Sequence, residues 1–191
     1  MHLLTVALFA TSDASYASVL QPYIDAANAL LGPVQMRIDV FPTGGIGGAP
    51  RILAYTGVVF DGPGDPGNVR AQAHNAVPNG RGIPVIFCKR QTDDSHGSGF
   101  EFGSTIQTAS AANNGVSWLP YILINTQIKS SGNEVLLHEM IHAAYGANQP
   151  PHDSEPTSVF FEYGNGQPNR SLPARHVDPL RRSYFSIFVP P

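Results

Sequence analysis

The chain has 191 residues, a net charge of −3 at pH 7 and 13% charged residues, so one domain spanning 1–191 is the expectation. No basic run exceeds two residues, which argues against nucleic acid and membrane as partners. The 19 glycines and 17 prolines exclude a bundle of long helices and predict many turns.

Residues 3–10 form a continuous apolar run that suits a buried strand. They also resemble a short signal core, but no Lys or Arg precedes them and Asp13 follows closely, so no convincing signal peptide is read there. Thr11-Ser12-Asp13 looks like a helix cap, after which Tyr16, Val19, Leu20, Tyr23, Ile24, Ala27, Leu30 and Leu31 recur at helical spacing up to Gly32-Pro33. Residues 34–41 alternate Val34, Met36, Ile38 and Val40 with polar partners, the pattern of a half-exposed strand. This opening predicts a mixed sheet.

Residues 42–50 are a glycine-rich turn, lacking the Lys and Ser/Thr that a phosphate cradle requires. Residues 55–60 are expected to form a short strand, 61–67 a turn, and 68–77 a short helix carrying His74 as a surface histidine. Residues 83–88 read as a strand with Pro84 near its start or at a sheet edge. Cys88 is alone, so no internal disulfide supports the fold, and it reads as a small buried hydrophobe. Asp93, Asp94 and His96 lie in a polar stretch expected to be a solvated loop. Residues 118–125 are expected to be an edge strand leading to the central helix and able to pair with an extended peptide.

That helix carries the main signal. Asn133 to Gly146 holds His138-Glu139-Met140-Ile141-His142, the H-E-x-x-H pattern. On a helix, two histidines four residues apart share one face and can share one metal ion. Glu139 is turned about 100° from His138, away from the same ligand set but within reach of a water on the metal. Such geometry serves a zinc site with an open position and a carboxylate that takes a proton. Ser130, Ser131 and Asn133 offer N-caps, and Gly146 offers a C-terminal stop.

At His138 to His142 the chain resembles the zincin metallopeptidases, with specificity confined to about 15 residues around the motif. The resemblance implies an α+β, zincin-like fold: a twisted mixed β-sheet, the motif helix, then a loop-rich C-terminal region. It also implies Zn2+ held by His138 and His142, Glu139 as general base and acid, and a third ligand from downstream. Metzincin spacing is not followed, because Gly146 lies four and His152 ten residues past His142, and no Met follows Met140 to make a methionine turn. His152 is preferred as third ligand because imidazole suits zinc, with Asp153, Glu155 and Glu162 as alternatives. Tyr145, Tyr163, Arg175 and His176 are the candidate donors to an oxyanion.

The expected activity is therefore zinc-dependent hydrolysis of peptide bonds in a polypeptide substrate by a monomer. A zinc amidase acting on a non-peptide or cell-wall amide, and a zincin-like module that binds metal or protein without turnover, are the alternatives. The chain has only two lysines, Lys89 and Lys129, against nine arginines. Few modifiable lysines would suit a chain acting inside a foreign cell as a toxin or effector; the expected localisation is that of a soluble protein, secreted or delivered in that way.

Overall fold

The computed structural model describes residues 1–45, 48–60, 69–77, 82–91, 103–106, 120–127, 133–146, 150–161 and 170–190. Among these residues, eight strands make one sheet: β1 (His2–Thr11), β2 (Met36–Phe41), β3 (Arg51–Leu53), β4 (Val58–Phe60), β5 (Ile83–Gln91), β6 (Gly103–Ile106), β7 (Tyr121–Asn125) and β8 (Ser186–Phe188). Four helices accompany it: α1 (Leu20–Leu31), α2 (Val69–Asn75), α3 (Val135–Tyr145) and α4 (Val177–Arg182).

The main path of the sheet runs β2-β1-β5-β7-β6, with β3 and β8 also pairing with β1 and β4 with β5. The β1–β2, β1–β5 and β5–β7 pairs are parallel, whereas β6 on β7 and β8 on β1 are antiparallel. Parallel strands need both faces covered, which explains the unbroken apolar run of β1. Leu4, Val6, Leu8 and Ala10 face a core shared with α1, α3 and α4. Ala7 and Phe9 face a second core with Val69 and Ala73 of α2 and Cys88 of β5. The mixed α+β architecture and the buried Cys88 agree with the sequence reading.

Several local expectations are corrected. Helix α1 begins at Leu20, with Val19 at its N-cap and no side-chain cap. Thr11 instead donates to Asp13 Oδ1 at 3.1 Å, and Asp13 accepts Gly57 N–H and pairs with Lys89 at 2.9 Å. The salt bridge and the backbone donor outcompete a cap seven residues before the helix. Strand β2 starts at Met36, because Gly32–Val34 form a 3-10 turn ended by Gln35 in the left-handed region. Pro84 is near the start of β5, not at an edge, since β5 is flanked by β1 and β7.

Strand β7 is likewise interior. Its five residues are all buried, and among the described residues the outermost strand beside it is the antiparallel β6. Gly103-Ser104-Thr105-Ile106 lacks the apolar run that would have announced it in sequence. Of the other expected elements, 55–60 contracts to β4 and 68–77 to α2. Asp93, Asp94, His96, Trp118, Ser130 and Ser131, together with the side chain of His74, lie outside the described residues. Among the described residues, no helix is long and apolar enough to cross a membrane.

Candidate metal centre

Helix α3 is fixed by its apolar stripe. Leu136, Leu137, Met140 and Ile141 are buried against the sheet and its neighbouring helices, each burial stabilising by about 1.5–3 kcal/mol. The N-cap is Glu134, without a side-chain cap, so the expected Asn133 cap is not made. Gly146 ends the helix at φ 59°, ψ −138°, a backbone region open chiefly to glycine, and its N–H reaches Ala143 O at 3.3 Å.

With α3 held this way, His138 and His142 rise from the same flank, and their Nε2 atoms lie 3.1 Å apart. The chain then passes Pro150 and Pro151 and brings His152 back, its Nε2 3.1 Å from that of His142. The three ligand atoms lie within 4.8 Å of one another, and this is the group of three potential ligands found among the described residues. Tetrahedral zinc with Zn–N bonds near 2.0–2.1 Å would hold nitrogens about 3.4 Å apart, close to these separations.

The tautomer of His138 follows from its other nitrogen. Nδ1–H donates to Val159 O at 2.9 Å, which leaves Nε2 as a bare lone pair aimed at the other two rings. Burial, partly offset by that hydrogen bond, pushes His138 down to about 4, so the ring is neutral and competent as a ligand near pH 7. With Nδ1–H tautomers on all three rings, the Nε2 lone pairs would meet a single cation at the point of convergence. The donor set therefore fits a metal ion.

Beneath the three rings lies Phe160, fully buried, its centroid 5.2 Å from His138, 4.6 Å from His142 and 4.9 Å from His152. Sequence reasoning missed it. The only signal was an apolar Val159-Phe160-Phe161 run shortly after His152 in an otherwise polar stretch. Glu139 is also buried, at 6% exposure, next to His138 on α3.

The alternative ligands and oxyanion donors fare differently. Asp153 is buried, but its carboxylate is engaged by Ser158, Arg175 and His176. Glu155 is exposed and stands apart from the three-histidine group. Glu162 and Tyr163 lie outside the described residues. Tyr145 and His176 are bound to each other, hydroxyl to Nδ1 at 3.1 Å, and the Tyr145 hydroxyl also lies 3.1 Å from Arg175 O. Burial first, then the Arg175 charge, lowers His176 to about 4. These three side chains thus serve one another and Asp153.

No family model and no curated protein sequence matches the chain. Among solved structures, its fold resembles the crystal structure of metalloproteinase-II from Bacteroides fragilis, with a TM-score of 0.59 and 13% identity. That likeness covers 93% of this chain and 52% of the other, so the chain spans about half the length of the protein it resembles. The class defined by fold and site together is a mixed α+β domain with a metalloproteinase-like fold and a three-histidine cluster suited to a metal ion.

Proposed function

We propose that the chain is a zinc-dependent metallopeptidase of the zincin type, with His138, His142 and His152 as ligands and Glu139 as general base. The observation that carries this reading is the convergence of three imidazole Nε2 atoms, one of them with its tautomer set by a backbone carbonyl. Zinc, when bound, supplies Lewis acidity that lowers the pKa of water toward about 7. The carboxylate of Glu139, one position round the helix from His138, accepts the proton of the attacking water. It then returns that proton to the leaving amine nitrogen. Low exposure of Glu139 keeps this transfer away from bulk solvent. In this reading an extended polypeptide adds as a strand to β6, the last strand of the sheet among the described residues on the side where α3 packs.

Metal analysis of the purified protein tests the assignment. One zinc per chain is expected, with loss in His138→Ala, His142→Ala and His152→Ala, and cleavage of an unstructured polypeptide that a chelator stops. A protein that holds no metal sinks the reading. A protein that holds zinc but cleaves neither polypeptide nor amide is a binding module instead.

A further inference from the structure

The segment that delivers His152 is tied together by the carboxylate beside it. Asp153 is 9% exposed, and burying a carboxylate without partners costs several kcal/mol. Its partners are four. The Asp153 backbone N–H donates to Phe160 O at 2.9 Å. Oδ2 accepts the Ser158 hydroxyl and faces His176 Nε2 at 3.1 Å, while Oδ1 pairs with the Arg175 guanidinium. Ser158 Oγ in turn accepts the Phe160 N–H at 3.0 Å.

These contacts join three pieces of chain: residues 151–153, residues 158–161, and the 3-10 turn Ala174–His176. The first two supply three of the contacts on which the histidine cluster leans. Residue 152 supplies an imidazole, residue 159 the carbonyl that orients His138, and residue 160 the ring beneath all three. The C-terminal turn holds both through Asp153, reached by Arg175 and by the buried His176, whose far side meets Tyr145 from the end of α3.

We propose that Asp153, gathered by Ser158, Arg175 and His176, is the positioning residue of the metal centre. It sets His152 and the Val159 carbonyl together, so ion affinity depends on a turn more than twenty residues beyond the last ligand. The inference rests on the three histidines being a metal site. It also assigns Asp153 a place behind the ligands in place of one among them.

The test compares the wild-type chain with Asp153→Asn, His176→Gln and Ser158→Ala. Zn2+ affinity is measured by competition with a chromophoric chelator, and the visible d–d band is recorded with Co2+ in place of zinc. Urea unfolding of the metal-free forms runs alongside. Expected is a loss of affinity of about 10–100-fold in Asp153→Asn and in His176→Gln, with a shifted Co2+ band. The double variant Asp153→Asn/His176→Gln should be scarcely worse than the worse single one, because both changes break the same clamp.

Variants that lose metal-free stability but keep the wild-type band and affinity overturn the proposal while leaving the metal centre standing. So does a band shift confined to Asp153→Asn, which would make Asp153 a direct ligand. If Asp153→Asn does not fold, His176→Gln and Ser158→Ala decide, since each removes one contact and leaves the carboxylate. A wild type that binds no Co2+ or Zn2+ removes the proposed function itself, and the positioning role with it.

Discussion

Phe160 is the residue whose change every imidazole should feel at once. Its ring fills the space under His138, His142 and His152 and also lies 4.8 Å from His176. Phe160→Ala opens a cavity there and is expected to cost about 3–5 kcal/mol of stability in urea unfolding. Because the freed volume borders three rings, zinc affinity should fall too, whereas Phe160→Leu keeps most of the filling and should lose much less of both. Equal affinity in Phe160→Ala and wild type would mean that the rings are set from elsewhere. Glu139 makes the contrasting case, since its proposed duty is chemical. Glu139→Gln keeps the shape but removes the proton acceptor, so peptide cleavage should drop by about 10²–10⁴-fold with zinc content unchanged. Activity surviving in Glu139→Gln would remove it as the base.

At the scale of elements, α3 owes its end to Gly146 and its surroundings to the 3-10 turn at Ala174–His176. Among the described residues a Cβ at residue 146 meets no atom within 4 Å, so the expected cost of Gly146→Ala is the conformational one. At φ 59°, ψ −138° that strain is of order 1–3 kcal/mol, and a lowered thermal midpoint measures it. Relaxation of the strain would displace the chain that leads to His152, so weaker zinc binding should accompany the change. The 3-10 turn makes a pH prediction. His176 is fully buried and lowered to about 4 from 6.5, so between these values the unfolded chain binds a proton that the folded chain refuses. Stability of the metal-free protein is therefore full above pH 6.5 and declines as pH falls toward 4. This histidine contributes at most roughly 3 kcal/mol of that decline. Urea titrations at pH 7.5 and 5 should show the loss, and His176→Gln should show a smaller one. An unchanged pH slope in His176→Gln would contradict the assignment.

Over the whole molecule, what sequence revealed was whatever depended on short-range periodicity. The β1 run was legible because a parallel strand covered on both faces must be apolar throughout, and the pairing of His138 with His142 because a helix turn fixes it. Illegible were the features set by partners distant in sequence. Nothing near Gly103–Ile106 announced the outermost strand, and so β7 was expected to take that place. Asp153 read as a possible ligand because its partners Arg175 and His176 come more than twenty residues later. The likeness of the fold to a metalloproteinase at 13% identity fits this division, with the architecture kept while the local sequence differs.

The site also links remote parts of the fold, and that linkage supplies the last prediction. Its rings come from α3 and from the loop behind it, which is tied to the turn preceding α4. Beyond α4, β8 pairs with β1 at the start of the chain. An ion bound by the folded chain alone stabilises it by mass action, by about 2.7 kcal/mol at free zinc one hundred times its dissociation constant. For a domain of this size that corresponds to a rise of roughly 5–10 °C in the thermal midpoint. Adding zinc to chelator-treated protein should therefore raise the midpoint in proportion to the logarithm of free zinc, and His152→Ala should flatten the dependence. Because the loop and the C-terminal turn are clamped together, amide exchange should slow in both 151–161 and 174–182 when zinc is added. Protection confined to α3 would mean that the ion holds two histidines and leaves the rest of the molecule unaware of it.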